Sequence, residues 1–250
     1  MNTPPSPTPA SSENSAGALV LVPVSLGEAP WRTFLPEEAQ RRVCQIRHFV
    51  VETEKLARQH LKRLEHPVAL RELDLHPLPE RADAATLDRL LEPVADGHDL
   101  GLLSDAGCPA VADPGARLVA RAQARGIRVD PLVGPSSILL SLMASGLDGQ
   151  RFAFHGYLPV AETDRDQRIR QLEKASRRDR STQIFIETPY RNARLFSALL
   201  ELCQPGTRLC VARDITTQGQ WIRTQNVAQW RKHVPPDLDR RPTIFLMLAQ

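Results

Sequence analysis

The 250-residue chain carries 32 Lys and Arg against 29 Asp and Glu, so its net charge of +3 excludes a strongly polyelectrolyte protein. A hydrophobic fraction of 42% with 24% charged residues is typical of a globular protein with one large core or two smaller ones. The charge is unevenly spread, because residues 1–150 hold 15 basic and 19 acidic side chains whereas residues 151–250 hold 17 and 10. This asymmetry is typical of a surface that meets an anionic partner, and it also arises among ordinary solvated side chains.

Targeting segments and metal sites are not indicated. Residues 1–17 are rich in proline and serine, lack a basic residue and an apolar stretch, and therefore predict a disordered tail rather than a signal peptide. The longest apolar run, residues 138–147, is far shorter than the roughly 20 residues of a membrane-spanning helix. The four cysteines form no CxxC pair and do not cluster with histidines, so we expect no metal, no membrane and a reducing, cytoplasmic environment.

Strands alternate with helices along the first part of the chain. The strands are predicted at residues 18–24, 48–51, 68–73, 100–103 and 127–132. The helices between and after them are predicted at residues 36–46, 53–64, 84–95, 114–125 and 135–145. Such alternation is typical of a mostly parallel sheet covered on both faces.

Two of these helices have clear end signals. Asp113 is predicted to cap a helix that has Pro114 at its first position and ends at Gly126. The following helix, which ends at Gly146, is apolar almost all round, so we expect it to be buried.

A polar segment at residues 147–150 predicts a boundary between a domain at 18–148 and a domain at 149–250. In the second domain we expect strands and helices at residues 152–158, 165–177, 183–187, 192–203, 209–214, 220–224 and 243–248, the second and fourth of these being helical. The segment 165–180 is rich in arginine and is typical either of an RNA phosphate contact or of a solvated helix face.

Two loops that follow predicted strands are candidates for ligand binding. The first, SDAGCP, begins at Ser104, and the second, VGPSS, begins at Val133. Ligands of open parallel sheets bind at the carboxyl ends of strands, where glycine lets them approach the backbone. Each loop alone is equally typical of an ordinary turn, and neither contains GxGxxG or GxxxxGK[ST].

Taken together, the motifs SDAGCP, ADPG at 112–115 and GPSS at 134–137 resemble those of the tetrapyrrole methylase superfamily, whose members use S-adenosylmethionine. The resemblance runs from about Leu19 to Leu248. It is closest to the bacterial small-subunit ribosomal RNA (cytidine-2′-O) methyltransferases, through the runs GYLP at 156–159, Glu187 with Tyr190 and Arg191, and ARD at 212–214.

The resemblance implies an α/β fold of two α/β domains, with S-adenosylmethionine in a cleft between them and two chains forming a homodimer. At motif level it implies cofactor contacts from Leu26, Gly27, Asp105, Gly107, Cys108, Gly134, Ser137, Ile138, Ile186, Ala212 and Thr243. It also implies an RNA partner, the small ribosomal subunit.

The chain departs from the usual pattern of the RNA branch at several positions. It has PVSLGE where a Pro-Thr-Pro-Ile-Gly-Asn type of run is usual, and Glu52 to Lys55 read ETEK where Glu-Asp-Thr-Arg is usual. Tyr190 replaces a histidine, and Thr217 replaces a lysine. The cofactor motifs are therefore better preserved than the acceptor motifs.

Glu187 and Arg191 are the candidate catalytic residues, because a ribose hydroxyl must lose a proton and a nearby base or cation assists this loss. The alternative is that Glu187 caps the following helix and pairs with Arg191. Three functions remain open at this point: an RNA 2′-O-methyltransferase, a methyltransferase of the same fold that acts on a tetrapyrrole or another small molecule, and a non-catalytic cofactor- or RNA-binding module.

Overall fold

The computed structural model describes residues 17–250, which form two compact units, each with its own five-stranded sheet. The first unit comprises residues 17–23, 36–105 and 109–133, and the second comprises residues 24–35, 106–108 and 134–250. Residues 134–148 thus group with the second unit, and the predicted domain limits remain a proposal. Of the predicted tail, residues 1–16 lie outside the described residues, while Gly17 is buried. Within residues 17–250, no helix is long and apolar enough to span a membrane.

The sheet of the first unit is entirely parallel, as the alternation of strands and helices predicts. Its strands are β1 (Ala18–Val22), β2 (His48–Val51), β3 (Asp74–Pro77), β4 (Leu100–Leu103) and β5 (Arg128–Pro131), in the order β3-β2-β4-β1-β5. The helices are α1 (Glu37–Val43), α2 (Glu54–Arg63), α3 (Ala84–Leu90), α4 (Glu92–Ala95) and α5 (Ala116–Ala124). Every residue of β4 is buried, because this central strand has a neighbour on each side and helices over the sheet.

The strand predicted at residues 68–73 is wrong. A single turn of 3-10 helix at Leu70–Glu72 occupies that segment, and β3 follows at Asp74–Pro77. Among the described strands, β3 is an edge strand that pairs with β2 alone, and it is largely exposed. Its sequence, DLHP, therefore lacks the apolar pattern of a buried strand.

The sheet of the second unit is mixed, whereas the parallel pairing predicted from the first part of the chain holds for the first sheet. Its strands are β6 (Phe152–Tyr157), β7 (Thr182–Ile186), β8 (Arg208–Arg213), β9 (Trp221–Asn226) and β10 (Thr243–Leu248), in the order β6-β7-β10-β8-β9. Only β6 and β7 are parallel, whereas β10 runs antiparallel between β7 and β8. A short connection without a helix joins β8 to β9, and this antiparallel hairpin ends the alternation.

Four helices complete the second unit: α6 (Ser137–Ser145), α7 (Glu162–Asp179), α8 (Asn192–Leu202) and α9 (Val227–Trp230). The expectation that α6 is wholly buried is wrong, because the side chains of Leu139 and Met143 are 50% and 79% exposed. An adjacent side of α6 packs against the sheet through Ile138 and Leu142. Although its sequence is apolar almost all round, α6 is therefore covered on one face only by the described residues.

Candidate functional site

Three loop segments meet in the second unit: residues 24–27, 106–108 and 134–138. The Val24 amide donates to the Gly107 carbonyl oxygen over 2.9 Å, and these two residues form an isolated antiparallel bridge. The Cys108 thiol donates to the carbonyl oxygen of Pro135 over 3.2 Å. Residues 106–108 thus link the segment 24–27 to the segment 134–138, which lies more than a hundred residues later in the chain.

Two glycines keep these segments close. A Cβ atom at Gly27 would lie 2.6 Å from Cγ2 of Thr217, a contact too short for real atoms. Thr217 cannot turn away freely, because its hydroxyl donates to the Asp214 carbonyl oxygen and accepts from the Gly219 amide. Gly107 has a φ of +73°, which favours glycine, and a Cβ there would lie 3.1 Å from the Leu26 side chain. The space that a side chain would need at each glycine is therefore taken up by Thr217 and by Leu26.

Side chains of these loops join an apolar core cluster formed by the second sheet and α6. Leu26, Ile138, Ile186 and Ala212 belong to one apolar cluster in the second unit. Ile244 of β10 pairs with Ile186 of β7 on one side and with Ala212 of β8 on the other. The second unit thus holds ten of the eleven predicted cofactor residues: Leu26, Gly27, Gly107, Cys108, Gly134, Ser137, Ile138, Ile186, Ala212 and Thr243.

Asp105, the eleventh, belongs to the first unit, at the carboxyl end of β4. Its carboxylate accepts from the Thr53 hydroxyl over 2.8 Å, and its amide donates to the Glu52 carboxylate over 3.0 Å. Its carbonyl oxygen is 3.0 Å from Nε2 of the buried His60. These bonds hold the start of the SDAGCP loop in place and leave one carboxylate oxygen of Asp105 for other donors.

Asp113 does not cap helix α5, so this prediction is wrong. The helix begins at Ala116 after Gly115, and no side chain of the described residues caps it. Asp113 instead lines a cavity of about 10 Å³ with Glu52 and Ser104, large enough for one water. Its Oδ2 atom is buried and has no hydrogen-bond partner among the described residues. Burial, aided by repulsion from Glu52, raises the pKa of the Asp113 carboxyl to about 6.

Asp113→Asn is expected to stabilise the protein at neutral pH and not in acid. Because the folded-state pKa of Asp113 lies above its ordinary value, the folded chain binds this proton more tightly, and stability falls as pH rises from about 4 to about 6. Asparagine avoids this loss, so the free energy of unfolding should rise by about 1 kcal/mol at about pH 8 and remain unchanged at about pH 4, since solvent screens the half-buried group. Urea unfolding of the variant and of an Asp96→Asn control at both pH values measures this, and an equal effect at both would contradict it.

Glu187 and Arg191 form an ion pair at the end of β7. The Arg191 guanidinium lies 2.5 Å from Oε1 of Glu187, and the same oxygen accepts from the Thr188 amide over 2.6 Å. The Glu187 side chain is 3% exposed and that of Arg191 is 33% exposed. The structure therefore brings the two candidates together, with the cation toward solvent and the carboxylate behind it.

The arginine-rich segment is only partly available for a partner. Arg165 is buried and pairs with Asp166, and Arg168 donates to the His155 ring, which also contacts Gln183. Burial lowers the pKa of His155, which agrees with a packed histidine. The exposed cations of this segment are Arg170, Lys174, Arg177, Arg178 and Arg180.

The sequence did not indicate how two residues shape this region. Thr217 sets the space above Gly27, and the buried Ser25 hydroxyl has no hydrogen-bond partner in the part of the chain that the structure describes. Thr217 lies 190 positions from Gly27, and no local pattern joins them. Ser25 lies within the run PVSLGE, and the position of this run after β1 was the only sequence feature that pointed to a role for Ser25.

Comparison with solved structures defines the class of fold. The crystal structure of the methyltransferase CobJ has a TM-score of 0.61 at 22% identity and covers 93% of this chain and 94% of its own. The crystal structure of diphthine synthase has a TM-score of 0.64 at 15% identity and covers 93% and 90%. At this identity the likeness shows the fold alone, two α/β domains, as the motifs predict.

The particular family follows from the sequence. The model of the tetrapyrrole (corrin/porphyrin) methylases matches residues 34–230. This chain belongs to that family, and the resemblance inferred from its motifs is confirmed.

Two curated relatives carry the name Ribosomal RNA small subunit methyltransferase I. The protein of Xylella fastidiosa is 34% identical over 163 residues, which are 65% of this chain and 58% of the relative. The protein of Pseudomonas aeruginosa is 28% identical over 232 residues, which are 91% of this chain and 76% of the relative. The chain thus spans from somewhat over half to about three quarters of the length of these relatives.

Proposed function

We propose that this chain is an S-adenosylmethionine-dependent methyltransferase that methylates a ribose 2′-hydroxyl in small-subunit ribosomal RNA. The cofactor part of the proposal rests on one observation: three loops meet in the second unit, where Leu26 and Ile138 pack against one apolar cluster. The acceptor half is supported by family membership and by the names of the relatives.

The residues present fit the proposed cofactor. The apolar side chains of Leu26 and Ile138, which are only partly buried, suit contact with an adenine ring. Asp105 has a carboxylate oxygen for a ribose hydroxyl or an ammonium group. When bound, S-adenosylmethionine supplies a methyl group on a sulfonium, ready for in-line displacement, so the protein mainly aligns the two reactants.

Arg191 and Glu187 act on the acceptor side in this proposal. Arg191 presents a partly exposed guanidinium that stabilises negative charge as the ribose hydroxyl loses its proton. Glu187 is almost fully buried, and one of its oxygens already accepts from Thr188 and Arg191. We therefore assign Glu187 the role of holding Arg191 in place.

Assembly and location complete the proposal. We propose a homodimer, as the family resemblance implies, and the exposed apolar side chains of Leu139 and Met143 on α6 support a surface for a second chain. A cytoplasmic location follows from the proposed substrate, ribosomal RNA. Sedimentation of the purified chain at several concentrations measures the dimer.

Cofactor and acceptor need separate experiments. Calorimetry should detect binding of S-adenosylmethionine and of its demethylated product, and failure to bind either would overturn the cofactor proposal. Nucleoside mass spectrometry of small-subunit RNA, from cells with and without the gene, should show one 2′-O-methyl nucleoside lost on deletion. Cofactor binding together with an unchanged RNA profile would favour a small-molecule acceptor on the same fold, or a binding module without catalysis.

A further inference from the structure

Tyr190 is a large aromatic side chain that the second unit leaves 75% exposed. It lies in a short 3-10 turn, Pro189–Arg191, directly between Glu187 and the helix α8. An aromatic ring held in water gains nothing from packing. Its position next to the Glu187–Arg191 pair therefore suggests a ligand.

The turn that carries Tyr190 is fixed on both sides. Before it, Glu187 accepts from the Thr188 amide over 2.6 Å, and the Arg191 amide donates to the Thr188 carbonyl oxygen over 2.9 Å. After it, Asn192 is fully buried and its side-chain amide donates to the Arg241 carbonyl oxygen over 2.7 Å. Because the backbone that carries the ring is already fixed, a ligand that binds there pays little conformational entropy for ordering the protein.

Two polar atoms beside Tyr190 have unused hydrogen-bonding capacity. Nε of Arg191 and Oδ1 of Asn192 are buried and have no hydrogen-bond partner among the described residues. Buried polar atoms are usually paired, so the hydrogen bonding of this turn is incomplete within the described residues. An exposed aromatic ring next to an arginine matches the two chemical parts of a nucleotide, since bases stack on aromatic rings and phosphates bind guanidinium groups.

We propose that Tyr190 is the platform on which the base of the acceptor nucleotide stacks, with the ribose and phosphate toward Arg191. This inference rests on the proposed function for the identity of the RNA and deepens it by naming the residue that contacts the base. Stacking on a ring face tolerates any base, so Tyr190 contributes affinity and places the ribose, while sequence choice depends on other contacts.

A direct test uses the fact that the chain has only two tyrosines, Tyr157 and Tyr190. In protein labelled with ¹³C in its tyrosine rings, Tyr190→Phe assigns the two sets of NMR signals. Titration with a short oligocytidylate, with S-adenosylmethionine's demethylated product present, should shift the Tyr190 ring signals upfield. The Tyr157 signals should stay in place, since Tyr157 is 58% exposed on β6 and serves as an internal control. Unmoved Tyr190 signals, or equal shifts at both tyrosines, would overturn the inference.

A kinetic arm separates stacking from a structural role. Tyr190→Ala should raise KM for small subunits about tenfold, with kcat and the Kd of the cofactor within about twofold, because losing one stacked base weakens binding by roughly that factor or more. Tyr190→Phe should restore KM, and Tyr157→Ala should leave it unchanged. Loss of cofactor binding in Tyr190→Ala would indicate a structural role and contradict the proposal.

The two arms also distinguish this inference from the proposed function. If small-subunit RNA is not a substrate but the Tyr190 signals still respond to oligocytidylate, the nucleotide platform stands and the RNA target is wrong. If methyl transfer occurs but Tyr190→Ala has the wild-type KM, the platform is wrong and the function stands.

Discussion

Replacing Arg191 by alanine is expected to lower kcat for methyl transfer to small-subunit RNA about a hundredfold, the usual loss when one preorganised charge donor is removed. The reason is that Arg191 presents the partly exposed guanidinium of the Glu187 pair toward the acceptor. The Kd of S-adenosylmethionine, measured by calorimetry, should change less than about twofold. A loss of cofactor affinity equal to the loss of kcat would contradict this role.

The matched control is Arg194→Ala, which removes an exposed arginine of helix α8 that pairs with Glu162, and it should keep the wild-type kcat. Glu187→Gln tests the positioning role, because glutamine keeps an acceptor for the Thr188 amide but loses the charge that holds Arg191. Its kcat should fall about tenfold, between the wild type and Arg191→Ala. A far larger loss in Glu187→Gln than in Arg191→Ala would instead make Glu187 the general base.

Replacing Gly27 by alanine is expected to weaken S-adenosylmethionine binding tenfold or more. The added Cβ would lie 2.6 Å from Cγ2 of Thr217, and relieving such an overlap typically costs about 1–3 kcal/mol. We expect the cost to appear as displacement of the loop at residues 24–27, and therefore in the Kd measured by calorimetry.

Thr217→Ser provides the matched rescue, because serine lacks the Cγ2 methyl group but keeps the hydroxyl that bonds to Asp214 and Gly219. Thr217→Ser alone should bind the cofactor with nearly wild-type affinity, and Gly27→Ala with Thr217→Ser should recover most of the loss. If the double variant binds as poorly as Gly27→Ala, the contact with Thr217 does not set the shape of the cofactor loop.

The sequence predicts most of the first sheet, because parallel strands that are buried on both faces have continuous runs of apolar residues. β2 and β4 have the predicted limits for this reason. The edge strand β3 was misplaced, since exposure to water on one side removes that pattern. In the second unit the antiparallel insertion of β10 between β7 and β8 depends on pairing between distant segments, which periodicity does not encode.

For the candidate site, the motifs predicted which loops meet but not how they are held together. The bridge from Val24 to Gly107 and the close approach of Gly27 to Thr217 join positions far apart in the chain. Asp113 is a further example. Its sequence context is typical of a helix cap, but in the structure its carboxyl is half-buried and lines a small cavity with Glu52. Local patterns predict local conformation, while such contacts depend on the whole fold.

The most direct test of the central claim is transfer of a labelled methyl group by the purified chain. Small ribosomal subunits from cells lacking the gene would be incubated with S-adenosylmethionine labelled in its methyl group, and their RNA digested to nucleosides. The proposed function predicts label in a single 2′-O-methyl nucleoside, with none when subunits from wild-type cells are used. Label absent from the RNA, in a chain shown to bind S-adenosylmethionine, would contradict the assignment of small-subunit RNA as the acceptor.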